Sequence, residues 1–293
     1  MKSKPAVGHD EARLLARKVA ARIGFYVATC LIAVFFALPL LWLITAPFDA
    51  SPGYAVGFPD VTFDNFAKVF DNRYALGSLL NSIVLAAGTT AFVVIGAALA
   101  SYALARVRIP GRDALLYVLL LLSSVVTGTA AMVPLYLLVN EIGDRVSPVL
   151  GSDSHFAVML VMAGGLLPAA IFMLKDFIDT IPKSYEESAR VFGASPLRTL
   201  KDVVVPLIAP GLATITVWSV VNVWGNFLIP FILLRDDEKQ PAAVVAQTMY
   251  DTAGQPNLAL LGAFSLLYSL PVVALYLFVA RRYGFRFHGG IKS

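Results

Sequence analysis

Residues 79–105 read Leu79-Leu80-Asn81-Ser82-Ile83-Val84-Leu85-Ala86-Ala87-Gly88-Thr89-Thr90-Ala91-Phe92-Val93-Val94-Ile95-Gly96-Ala97-Ala98-Leu99-Ala100-Ser101-Tyr102-Ala103-Leu104-Ala105, with no Asp, Glu, Lys, Arg or His among them. A helix crossing the hydrocarbon core of a bilayer needs about 20 consecutive residues of low polarity, and this run exceeds that. Five further intervals do the same. They lie between Arg22 and Asp49, from Ala114 to Val139, from about His155 to Leu174, from Val203 to Leu234 and from Leu258 to Ala280. The first is too long for a signal-peptide core and has no small-residue cleavage site after it. Pro206 and Pro210 disfavour a regular start to the fifth, so its continuous part is expected to begin near Gly211. Gly164, Gly165, Pro168 and Pro271 lie inside other runs, where neighbouring helices and hydroxyls can satisfy freed backbone groups.

The composition agrees. The 293-residue chain is 58% hydrophobic and 14% charged, with a mean hydropathy of +0.75. Soluble domains average about 45–50% apolar and about 25% charged residues. Disorder and a collagen-like fibre are excluded, and so is a disulfide scaffold, because Cys30 is the only cysteine. A net charge of +4 does not indicate nucleic acid, since the basic residues lie between apolar runs rather than on one solvated face.

Counting Lys and Arg on alternate sides of six spans places 18 with the two termini and leaves Lys68, Arg73, Arg145, Arg235 and Lys239 opposite. By the positive-inside rule both termini are cytoplasmic. The expected fold is therefore an all-α integral membrane protein of six transmembrane helices. Residues 1–22 form a cytoplasmic or interfacial segment, with Glu11–Arg22 as an amphipathic basic lead-in helix. Residues 23–280 form the membrane domain and 281–293 a cytoplasmic tail.

No carboxylate or basic side chain falls in the middle of any span, so the ionisable group that ion-coupled carriers usually keep at the midplane is missing. A phosphate-binding Gly-x-x-x-x-Gly-Lys-Ser/Thr loop is missing too. His9, His155 and His288 are too scattered for metal-ligand spacing, and neither a Gly-x-Ser-x-Gly elbow nor a His-Glu-x-x-His helix occurs. If the chain moves a solute actively, another polypeptide supplies the energy.

The long cytoplasmic loop between spans four and five, about residues 181–205, has well-specified local chemistry. Ser184 and Glu187 have capping-box spacing, which predicts a helix start there. Gly193 is placed to end that helix in a left-handed conformation. Ser195-Pro196 supplies an N-cap and first-turn proline for a second helix. Tyr185, Ser188, Ala189 and Phe192 share one face, with an aromatic at each end and small side chains between. Such a face suits close approach by a partner; an interfacial helix lying on lipid is the alternative.

Glu187-Ser188-Ala189, then Gly193-Ala194, then Val205-Pro206-Leu207 resembles the Glu-Ala-Ala loop of permease subunits in binding-protein-dependent ABC importers. Ser188 stands where that family more often has alanine, and Phe192 where it often has aspartate. Asn81-Ser82, Tyr102-Ala103-Leu104-Ala105-Arg106, Trp224-Gly225-Asn226-Phe227-Leu228-Ile229-Pro230 and the ending Gly289-Gly290-Ile291-Lys292-Ser293 resemble its carbohydrate branch, the maltose-permease G-type subfamily. Gly225 stands where such permeases usually carry asparagine.

The resemblance implies a permease subunit without an ATPase site of its own, importing a sugar, oligosaccharide or polyol across the bacterial cytoplasmic membrane by alternating access. It implies a second homologous permease, an ATPase dimer that binds ATP and Mg, and an extracytoplasmic solute-binding protein as partners, with lipid around the chain and no cofactor bound by it. Ser184, Tyr185, Glu187, Ser188, Ala189, Phe192, Gly193 and Pro206 would then couple to the ATPase, and Gly289, Gly290 and Lys292 would reach toward it. Polar side chains in span five are the substrate-pathway candidates: Ser219, Asn222, Trp224 and Asn226. Their alternative is interhelical hydrogen bonding, common for such residues in membranes. On the residues alone, an ABC permease for amino acids, polyamines or peptides, an ion-coupled carrier and a membrane scaffold stay open.

Overall fold

The computed structural model describes residues 7–107, 110–126, 128–249 and 256–283. The described residues are mainly helical, and their β-pairing includes an isolated bridge between Asp49 and Val61. Among the described residues, four helices are long and apolar enough to cross a membrane: α1 (Val7–Thr45), α3 (Ala75–Arg106), α6 (His155–Asp179) and α13 (Leu258–Tyr283). A fifth crossing is available from a bent pair described below. The lead-in and first span form one helix without a turn between them. Its 39 residues extend about 58 Å, well beyond the hydrocarbon core of about 30 Å.

The chain divides into two compact units, one taking the residues up to Ala67 with Asn257–Leu266, the other Lys68–Pro256 with the rest of α13. In the first unit, the segment after α1 folds back on itself. Asn65, in α2 (Asp64–Asp71), is fully buried and donates from Nδ2 to the carbonyls of Pro47 (3.1 Å) and Asp49 (2.7 Å). Trp42 Nε1 donates to the Gly53 carbonyl at 2.8 Å. Most apolar side chains of α1, such as Phe25, Leu31 and Phe35, are exposed. In a bilayer that costs nothing, because lipid tails are as apolar as they are.

In the second unit, α3 packs along α6 through small residues. A Cβ at Gly88 would lie 2.3 Å from Met159 Sδ, and one at Gly96 2.9 Å from a Leu167 methyl, so a side chain at either position would have to displace its neighbour on α6. Close packing of backbones substitutes in membranes for the missing hydrophobic drive. α10 (Ala209–Trp224) packs on both helices, and Val93, Ala97, Ala170, Leu174, Val204 and Ile215 form the shared core.

Two of the six apolar intervals are not single helices. The third is α4 (Arg112–Val126), then an extended Gly128 and a short turn, then α5 (Met132–Arg145). The fifth breaks twice. A bend of 82° at Ile208 separates the stretch Pro196–Leu207 from α10, and Gly225 ends α10 before α11 (Leu228–Leu233). Pro134, Pro210 and Pro230 each sit in a first helical turn, where a missing N–H is harmless; deeper in a helix each would collide with the carbonyl four residues back. Helix α10 thus starts two residues before Gly211.

The loop Leu234–Pro241 is held by side chains from α3, from α6 and from the turn before α6. Asp153, with φ of 58°, accepts the backbone N–H of Arg235 and Asp236 on Oδ1. Asn81 Nδ2 donates to the carbonyls of Glu238 (2.8 Å) and Gln240 (3.2 Å), and His155 Nε2 lies 2.8 Å from the Lys239 carbonyl. His155 therefore has a structural partner.

Candidate functional sites in the α6–α10 connection and beside α10

The connection from α6 to α10 begins with α7 (Lys183–Val191), which starts directly after Pro182. The expected capping box does not form. Pro182, at φ −59° and ψ 132°, occupies the N-cap position, so Ser184 is already helical and its carbonyl accepts from Ser188 Oγ at 2.8 Å. A cap residue must keep extended dihedrals, and proline takes that place two residues earlier.

The other end matches the sequence reading. Gly193 has φ of +80°. Its N–H bonds the Arg190 carbonyl (2.9 Å) and the Ala194 N–H the Ala189 carbonyl (3.0 Å), the paired bonds of a Schellman motif. Ser195 Oγ then accepts from the Arg198 N–H at 3.3 Å, opening α8 (Pro196–Thr199) with Pro196 in its first turn. A π-helical turn, Leu200–Val204, leads into α9 (Val205–Leu207), where Pro206 is exposed. Tyr185, Glu187, Ser188 and Phe192 are exposed and Ala189 is half-buried. Phe192 stands 90% exposed, so the face proposed for a partner carries an uncovered aromatic.

The neighbouring carboxylate was missed by sequence reasoning. Glu186 is buried, paired with Arg106 at the C-terminal end of α3 (Nε to Oε1, 2.6 Å) and hydrogen-bonded by the Tyr102 hydroxyl (3.1 Å to Oε2). Tyr102 and Arg106 lie one turn apart, which is a detectable pattern on α3. Nothing local singles out their partner from the many carboxylates of the chain.

A cavity of ≈ 270 Å³ lies between α4, α6, α10 and α11, lined by Ser123, Gly165, Ala169, Trp218, Asn222 and Asn226 among others. Asn222 Nδ2 donates to the Trp218 carbonyl at 2.8 Å, and Asn226 Oδ1 accepts the Ile229 N–H at 3.1 Å, fixing the start of α11. Trp218 and Asn222, four residues apart, share one face of α10, and Asn226 lies just past the helix end, so an aromatic and two amides meet at the cavity. Whole ligand pockets are about 300–1,000 Å³, so the cavity is slightly small for one.

Two of the four pathway candidates do not line this cavity. Ser219 is fully buried in the helix packing, with its hydroxyl unpartnered. Trp224 is stacked on Tyr268 of α13, with ring centroids 5.3 Å apart, and donates from Nε1 to the Tyr268 carbonyl at 3.0 Å. The Tyr268 hydroxyl in turn donates to the Trp224 carbonyl. Trp224 is a structural clasp, and the cavity's aromatic is Trp218, whose spacing from Asn222 was available in the sequence. Gly289, Gly290 and Lys292 lie outside the described residues.

The family described as "Binding-protein-dependent transport system inner membrane component" matches residues 93–285. The maltodextrin transport system permease protein MdxG of Bacillus subtilis is 29% identical over 265 residues, covering 89% of this chain and 92% of that one. The melibiose/raffinose/stachyose import permease protein MelC of the same organism is 29% identical over 244 residues, covering 82% and 85%. Among solved structures, a bacterial ABC transporter involved in import of the acidic polysaccharide alginate aligns with a TM-score of 0.71 at 21% identity, covering 96% of this chain and all of that one.

Proposed function

Because the chain belongs to the family of binding-protein-dependent transport system inner membrane components, we propose that it is one of two permease subunits of an ATP-driven bacterial importer for a sugar, oligosaccharide or related polyol. The names of the relatives support the solute class. Six crossings with both termini inside fit the charge count, with α4 and α5 together making the third and α10 the fifth. The chain sits in the cytoplasmic membrane with residues 23–280 as its membrane domain. Its partners are a second permease, an ATPase dimer holding ATP and Mg, and an extracytoplasmic solute-binding protein.

In this reading α7 is the coupling helix. The observation that carries it is an exposed Tyr185–Phe192 face on a helix whose opposite side is anchored by Glu186 and whose end is fixed by Gly193. Nucleotide binding closes the ATPase cleft, displaces α7 and rocks the helices from inward-open to outward-open. The tail with Gly289, Gly290 and Lys292 extends toward the ATPase pair. The cavity beside α10 is one wall of the pathway, completed by the second permease.

Crosslinking tests the coupling assignment. Ser188→Cys, in a chain whose exposed native Cys30 is replaced by serine, is expected to capture the ATPase subunit in intact cells. No capture in a strain that still imports the solute overturns the assignment. For the pathway, Asn222→Leu is expected to lower kcat/KM for uptake about tenfold, as loss of a solute hydrogen bond of about 1.4 kcal/mol requires. Uptake equal to the parent would remove Asn222 from the pathway.

A further inference from the structure

The ion pair at the root of α7 plays no part in the exposed docking face, and its placement gives it a separate role. The side chains of Arg106 and Glu186 are 9% and 3% exposed; in every other ion pair among the described residues at least one partner is more than a third exposed. Both carboxylate oxygens of Glu186 are held from α3, one by Arg106 and one by Tyr102. The same guanidinium reaches a third element, since Arg106 Nη2 donates to the carbonyls of Ile178, in the last turn of α6, and Ile181, in the connector to α7, at 3.2 Å each.

A buried pair of this kind contributes little net stability compared with well-packed apolar residues, because desolvation offsets the attraction. What it supplies is connection. By the chain, α7 is joined to α6 through residues 180–182 alone, a link about which a loaded lever would swivel. The ion pair adds a second attachment to α3, 80 positions earlier in sequence. Helix α3 packs along α6 and α10, which carry cavity residues. Breaking one partner leaves a buried charge unpaired, so the joint resists being pulled apart.

We propose that Glu186, Arg106 and Tyr102 are positioning residues of coupling, forming the joint through which displacement of α7 enters α3 and α6 together. Glu187, although next in sequence, belongs to the docking face. The proposal rests on the reading of α7 as the ATPase-docking helix.

The test uses the whole transporter in proteoliposomes with loaded binding protein, measuring ATP hydrolysed per solute taken up. Ser188→Cys crosslinking to the ATPase is followed in the same preparations. Glu186→Gln keeps the shape and removes the charge; it is expected to assemble, to crosslink at the parent yield and to raise ATP per solute about tenfold. Arg106→Lys, which keeps the charge and loses the fork, is expected to raise it about threefold. Tyr102→Phe leaves the ion pair in place and removes one hydrogen bond, so it carries the test even if Glu186→Gln fails to fold; a rise of about twofold is expected. A ratio equal to the parent in Tyr102→Phe and in whichever charge variants assemble, with crosslinking intact, overturns the joint. Failure of all three to assemble overturns it also, by making the cluster a folding element. Absence of crosslinking in the parent sinks the docking reading itself, which is a different result.

Discussion

Gly193→Ile is expected to leave the chain inserted at normal abundance and to lower solute-stimulated ATP hydrolysis and uptake about 30- to 100-fold. The argument rests on backbone and not on crowding, because a Cβ at Gly193 would meet nothing within 4 Å. At φ of +80° a β-branched residue is strained by about 2–3 kcal/mol. The chain relieves that strain by abandoning the left-handed turn and with it the bonds from Gly193 and Ala194 back into α7. The helix then frays at the end carrying Phe192, and the direction in which α8 leaves is no longer fixed. At about 1.4 kcal/mol per factor of ten, the correctly shaped loop falls to about 1–4% of its former population. Gly193→Asn separates this cause from any loss of flexibility, because asparagine tolerates the left-handed region and is expected to retain most activity. Parent-level uptake by Gly193→Ile, with crosslinking at Ser188→Cys unchanged, would show that the turn is dispensable.

The contrast between Gly193 and Glu186 marks what could be read in advance. A left-handed turn is a local requirement, met by one residue type, and the glycine announces it. Burial of Glu186 depends on where the end of α3 arrives, 80 positions earlier, and two adjacent glutamates give no local ground for choosing between them. Ser184 failed as a cap for a related reason: capping-box spacing was present, but Pro182 offered the extended dihedrals first. The broken spans carry the same lesson. Gly164, Gly165 and Pro168 stay inside an unbroken α6, while Gly128 and Pro134 accompany a break between α4 and α5. Both runs contain glycine and proline; α6 is held straight by its packing on α3 and α10, with Ala163, Ala170, Ile171 and Leu174 buried. The stretch around Gly128 has no comparable support, since none of the residues in the turn Thr129–Ala131 is buried. Apolar length therefore located the membrane segments, and tertiary packing decided which of them remained single helices.

Packing also sets the second large effect, at Gly143 near the end of α5. A Cβ there would stand 2.5 Å from the Gly151 Cα and 3.1 Å from its nitrogen, and a Cβ on Gly151 would stand 3.0 Å from the Gly143 Cα. The obstacle is backbone, in a turn already closed by the Leu150 N–H on the Ser147 carbonyl (2.9 Å) and the Gly151 N–H on the Pro148 carbonyl (3.1 Å). It cannot swing aside as the Met159 side chain facing Gly88 can. Two terms oppose each other in Gly143→Ala. Helix propensity favours alanine by about 1 kcal/mol, and overpacking against a rigid turn costs about 1–3 kcal/mol or more. Separating the two backbones also disturbs the entry to α6, whose cap, Ser154, accepts from the Ala157 N–H at 3.5 Å and donates to the Val149 carbonyl at 2.6 Å. Overpacking is expected to win, lowering the unfolding midpoint in detergent by about 3–6 °C. Gly143→Val adds two methyl groups at the same point and is expected to leave almost no folded protein in the membrane fraction. Gly164→Ala is the control, since a Cβ on Gly164 would meet nothing within 4 Å, so only the propensity gain acts and the midpoint does not fall. A Gly143→Val chain that accumulates and unfolds at the parental temperature would mean that the α5 turn yields freely, and the close backbone approach at Gly151 would lose its structural role.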